Sequence, residues 1–203
     1  GMDARGKLRL VNFTGGGAVR IETASVRTPS GARIDVTGGD GITYYWPTAR
    51  LRIDGKVETG GGGLPTARVV MRQPRSGAPM SGLAEIAPYA AVGGRLALAP
   101  VRFAAQSNGS TAVSTIALLD GPLSGGFVRG LRVAISGSFG PNGALEFGRG
   151  CTPLSFAALR IGALNLGPNR IPVCANGRAI VSRVPGGAFA VGANSRDFAL
   201  NGR

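Results

Sequence analysis

Apolar and polar side chains alternate with a period of two along much of this chain. In "ARLRIDGKV", Ala49, Leu51, Ile53 and Val57 fall on one side, and Arg50, Arg52, Asp54 and Lys56 on the other. "ARIDVT" repeats the pattern, with Ala32, Ile34 and Val36 against Arg33, Asp35 and Thr37. "FVRGLRVAI" groups Phe127 with Leu131, Val133 and Ile135. Val69 with Met71 and Leu96 with Leu98 form shorter sets of the same kind. Successive side chains of a strand point to opposite faces, so this alternation predicts antiparallel strands with one apolar and one wet face.

Turn chemistry falls between these runs. Asn108-Gly109, Asn142-Gly143, Asn176-Gly177 and Asn201-Gly202 predict hairpin turns, because both residue types tolerate left-handed backbone angles. Asp40-Gly41 and Asp120-Gly121 read likewise, whereas Asp54-Gly55 interrupts a pattern that could equally run through it. No stretch of ten residues has clean helical periodicity with caps. The nearest, residues 81–93, is spoiled by Pro88. The expected fold is all-β: a meander of more than ten short strands, extended and curled into an open groove. A closed β-sandwich or β-solenoid is the alternative. Residues 1–203 read as one β-rich body, with a turn boundary near 60 and a cysteine-bounded segment at 151–174.

Composition agrees with many strands and turns. Glycine (35) and proline (13) are abundant, yet 43% of residues are apolar and 16% charged, too hydrophobic for a disordered chain. The net charge of +13 raises the question of nucleic acid. However, the cations are almost all arginines scattered singly along strands, with no basic run and no nucleic-acid-binding motif. Solvated arginines alternating with core residues are the preferred account, with contact to an anionic partner, lipid headgroup or nucleic acid alike, as the other; the partner expected is phospholipid and no nucleic acid.

Catalytic and metal chemistry lack ingredients. With no histidine there is no Ser-His-Asp or Cys-His pairing, and two cysteines alone cannot complete a zinc tetrahedron. Runs such as "TGGGGLP" lead into strand patterns without the lysine and hydroxyl of a phosphate loop, so they read as turns or bulges. No catalytic residue, metal site or cofactor is expected. Cys151 and Cys174 bracket "CTPLSFAALRIGALNLGPNRIPVC"; a structural disulfide in an oxidising compartment is the preferred reading, with two separate buried thiols as the other. Between them a five-residue echo, "LSFAA", "LRIGA", "LNLGP", "NRIPV", implies short strands broken by bends, since an odd step inverts faces on a straight strand. Tyr44, Tyr45 and Trp46 form the one aromatic cluster, with Tyr44 and Trp46 sharing a face for packing or for a ligand edge.

The segment from "IDVTGGDGITYYWPTARLRIDGKV" through "RLALAPVRF", with "LDGPLSGGFVRGLRV" and the cysteine-bounded stretch, resembles the YdbH-like branch of the AsmA/TamB superfamily over residues 34–203. The resemblance implies a repeating β-groove. It also implies an inner-membrane anchor, which would lie outside this chain, and conduction of phospholipid through the periplasm toward the outer membrane, with other envelope proteins as partners. The opening Gly-Met has the form of a cloning scar, and the chain reads as part of a longer protein. Groove-lining candidates are Ile34, Val36, Leu51, Ile53, Val69, Met71, Leu96, Leu98, Leu131, Val133 and Ile135. A cell-surface binding or adhesion module with a closed core is the competing function.

Overall fold

The computed structural model describes residues 1–106 and 108–195. It is all-β, and the Asn201-Gly202 turn lies outside the described residues. The described chain divides into two compact units, residues 1–87 with 104–106, and residues 88–103 with 108–195.

In the first unit, β1 (Asp3–Phe13), β2 (Gly16–Arg27), β3 (Arg33–Trp46), β4 (Arg50–Gly61), β5 (Leu64–Arg72) and β6 (Ser81–Ile86) each pair antiparallel with the next in sequence. Among the described residues only β2 pairs with β1, so this sheet is open at β1. The register shifts at four places, between Lys7 and Leu8, Ile21 and Ala24, Thr37 and Gly41, and Thr59 and Gly61. Asp40-Gly41 is therefore a bulge inside β3 and not a turn: the left-handed φ of Gly41 serves either purpose. Asp54-Gly55 does run through as continuous β4. The glycine run at 60–63 forms the β4–β5 hairpin, where Gly62 has φ +52° and a Cβ there would meet that of Ala32 at 2.8 Å.

The second unit uses broken strands. β7 (Tyr89–Ala91) pairs with β8 (Gly94–Leu98), and β8 with β10 (Thr111–Leu123). β9 (Val101–Ala105) continues β8 beyond Ala99-Pro100, and the ladder to β10 survives that break because the Ala99 N–H donates to the Ile116 carbonyl at 2.8 Å. β10 pairs along its length with β11 (Gly126–Phe139). Along β11 lie three segments of one interrupted strand, β12 (Leu145–Phe147), β13 (Cys151–Phe156) and β14 (Ala158–Ile161). β15 (Leu164–Leu166), β16 (Asn169–Ala175) and β17 (Val181–Arg183) return beside them, and β18 (Phe189–Val191) and β19 (Ala193–Ser195) follow. Residues 81–86 and 89–91 are strand, with no helix between them. Asn142-Gly143 and Asn108-Gly109 connect successive strands, but Asn176-Gly177 interrupts β16 and β17, which run the same way.

The five-residue echo resolves into bends. The Ala157 N–H donates to the Arg129 carbonyl at 2.9 Å and breaks β13 from β14. That break inverts the alternation, so Leu159 emerges on the same face as Phe156. The strands do not close into a barrel among the described residues. Among the described residues the buried apolar side chains are few: Ala18, Val128, Phe156, Leu166, Cys174 and Ala179. Two cross-strand aromatics cover glycines instead. Trp46 lies opposite Gly17 and Phe147 opposite Gly137, and a Cβ at either glycine would come within 2.6 Å of the ring. Each ring thereby occupies the space that the missing side chain leaves.

Candidate functional site

The register sorts the first unit's side chains into two chemically opposite faces. Directly aligned rows on one face read Leu8–Ile21–Ile42–Ile53, Leu10–Val19–Tyr44–Leu51 and, toward β5, Val36–Val57–Val69. Ile34 and Met71 belong to the same face by alternation along β3 and β5. All six first-unit lining candidates are therefore brought together. Nothing within this unit covers them fully: Leu10 is 67% exposed and Leu51 46%. Tyr44 extends the apolar row, whereas Trp46, on the same face, packs over Gly17.

The opposite face is charged and tied by ion pairs. Glu22 bridges Lys7 (3.0 Å) and Arg9 (2.7 Å), and Asp40 bridges Arg52 (2.5 Å) and Arg20 (3.8 Å). The hydrogen bond from Lys7, with the charge of Arg9, holds the Glu22 carboxyl below the usual carboxylate range. Thr43 sits directly between Arg20 and Arg52 in the ladder and is 2% exposed. Its pattern position, polar among charges, gave no signal of burial. Gln73 caps the part of β4 beyond β5: its side-chain oxygen accepts from the Ile53 N–H (2.8 Å), and its amide donates to the Ala78 carbonyl (2.7 Å).

In the second unit, Tyr89–Leu96–Leu119–Leu131 and Leu98–Ala117–Val133–Leu154–Ile171 align across consecutive strands. Leu96, Leu98, Leu131, Val133 and Ile135 thus share a face. Phe127 does not. A bulge opposite Asp120 inserts Arg129-Gly130 into β11, fixed by the Gly130 N–H donating to Asp120 Oδ1 at 2.6 Å. The extra residue places Val128, 3% exposed, beside Leu131 and turns Phe127 to the other side. The same bulge explains why Asp120-Gly121 lies within β10 and is not a hairpin turn.

This face holds the only tightly packed apolar cluster among the described residues, Val128, Phe156 and Leu166, with Leu119, Leu131 and Leu159 against it. Leu154 links that cluster to a hollow of about 500 Å³ lined by Val133, Ile135, Phe147, Val173, Val181 and Phe189, among others. Thr152 contributes the one polar side chain in the lining. A concave apolar space of this volume is in the range that takes small-molecule or chain-like ligands. Leu131 therefore belongs to the packed floor, while Val133 and Ile135 face the open space. The wall formed by Leu145, Phe147, Ile180 and Phe189 was not anticipated. Its three-residue strands are too short to show alternation, although "LEF" and "FAV" are apolar at both ends.

Beside the hollow, on β12, Glu146 accepts from Arg149 and pairs with Arg178 at 3.1 Å. The Arg149 hydrogen bond, with Arg178 adding to it, pulls its pKa down. A carboxyl with a depressed folded-state pKa contributes stability in full above its unfolded value of about 4.3, and that contribution is lost as pH falls through the folded value. Melting curves between pH 7 and pH 3 are expected to show Glu146→Gln less stable than wild type at neutral pH, with the gap closing as acid protonates Glu146. A constant gap across that range would show that the ion pairs are not its source.

Cys151 and Cys174 stand directly opposite each other on β13 and β16 and are joined by a disulfide. Alternation puts them on the face away from Thr152 and Leu154, so the bond locks the hairpin from behind the hollow. No family model, curated protein or solved structure matches this chain.

Proposed function

We propose that this chain is a non-catalytic segment of a cell-envelope protein that shelters phospholipid acyl chains on its apolar sheet face while they pass between the inner and outer membranes. In this reading it works in the periplasm, held to the inner membrane by an anchor outside the chain, in company with other envelope proteins. The observation that carries the reading is the unsealed apolar face in each unit. Whole rows of Leu, Ile, Val and Tyr are aligned on one side of an open sheet, with charges on the other side of the first unit. A soluble monomer rarely leaves such a face to water without a use for it. Acyl chains laid on it would gain about 0.8 kcal/mol per buried methylene, and an open sheet leaves headgroups free to stay hydrated. The resemblance to the YdbH-like branch of the AsmA/TamB superfamily supports the same reading, and the disulfide fits an oxidising compartment.

Native mass spectrometry of detergent-free protein incubated with phospholipid vesicles tests it. Bound phospholipid is expected on the wild type. Leu51→Lys and Ile135→Lys should reduce it severalfold while circular dichroism stays unchanged, because both side chains face outward from the sheet without belonging to the packed cluster. A bare mass for the wild type after incubation would sink the proposal.

A further inference from the structure

We infer that the second unit carries a phosphate-binding site on the face opposite its apolar hollow, formed by Arg129 and Arg160 around Phe127. This site goes beyond the acyl-chain reading and does not rest on it. The bulge at Arg129-Gly130 turns Phe127 to this face. Phe127 stands directly across from Arg160 on β14 and two residues from Arg129 on its own strand, so the three side chains share a side. The guanidinium carbons of Arg129 and Arg160 lie 5.3 and 5.0 Å from the ring centroid.

Stacking on a ring engages the flat face of a guanidinium and leaves its in-plane N–H donors free for a bidentate oxyanion. Two cations on one ring also repel each other, a cost that a bound anion removes. Among the described residues of this unit no carboxylate is placed to do so. Asp120 and Glu146 are the only acidic residues among the described residues of this unit. Asp120 accepts the Gly130 N–H, and Glu146 holds Arg149 and Arg178. Arg132 and Arg170 flank Ser155 on the same face and add to the positive field. The geometry and charge fit the oxygens of a phosphate group, whether on a free phosphate ester or on a phospholipid headgroup at a membrane surface.

Inorganic phosphate titrated at low salt, followed by arginine side-chain N–H shifts in NMR, is the test. Saturable binding is expected in wild type and in the charge-matched Arg72→Gln/Arg75→Gln control. It should be weakened about tenfold or more in Arg129→Gln/Arg160→Gln, the scale of losing hydrogen bonds to a charged group. Arg129→Lys/Arg160→Lys, which keeps the charge and loses the fork, should fall between. Equal weakening in both glutamine pairs, or no saturable binding to wild type, overturns the site. Sedimentation with phosphatidylglycerol and phosphatidylcholine vesicles then separates the sources. Binding to the anionic vesicles that only the Arg129→Gln/Arg160→Gln change abolishes points to headgroups, and phosphate binding without it points to a soluble ester.

Discussion

Phe156→Ala is expected to destabilise the second unit by about 3–5 kcal/mol, the usual cost of emptying a packed aromatic site. Phe156 is 4% exposed and sits with Val128 and Leu166 at the centre of the one tight cluster among the described residues. The bend at Ala157 lets Phe156 and Leu159 both reach it, so the ring has neighbours from β11, β13, β14 and β15. Elsewhere the apolar face is open, and the contrast is informative. Leu10→Ser, on the exposed row of the first unit, should change stability by no more than about 0.5 kcal/mol. Urea unfolding of both variants measures the difference. Comparable losses for the two would mean that the exposed row is packed in solution and that the sheet is not open.

Removing the disulfide is expected to cost about 3 kcal/mol, the chain-entropy value for a closed loop of this length. For a chain of this size that is a fall of roughly 6–12 °C in melting temperature. The bond spans a sequence separation of 23 and joins directly opposed residues of β13 and β16, where the Ala175 N–H donates to the Gly150 carbonyl at 2.8 Å. Cys151→Ala/Cys174→Ala should melt early with its β-signature intact, because the rest of the hairpin ladder from Thr152 to Phe156 persists. Reduction of the wild type should have the same effect. A melting temperature indifferent to reductant would contradict it.

Much of the fold was legible because alternation is a local property. Ile34 with Val36, Leu51 with Ile53, and Val133 with Ile135 each lie within an unbroken stretch of strand, so parity along the sequence gave the correct face. Parity failed at Phe127 because a bulge two residues later inverts it, and a glycine after a charged residue reads alike in a bulge and in a turn. Asp40-Gly41 and Asp120-Gly121 misled for that reason: Gly41 supplies a left-handed angle inside a strand. The five-residue echo carried more information than its weak regularity implied, since an odd step demands bends and the structure places one at Ala157. What could not be read was the wall of the hollow. Phe147 and Phe189 meet Val133 only through pairing of short segments far apart in sequence. The basic face was visible only as a net charge; its arrangement around Phe127 depended on the bulge.

The most direct test of an apolar face that carries lipid is to ask which side of one strand touches it. A photoreactive amino acid placed singly at Ile135, Val133, Ser136 or Arg132 samples both faces of β11 in cells making radiolabelled phospholipid. Lipid adducts are predicted at Ile135 and Val133 and not at Ser136 or Arg132. Adducts absent from all four positions, or equal on the two faces, would contradict the account.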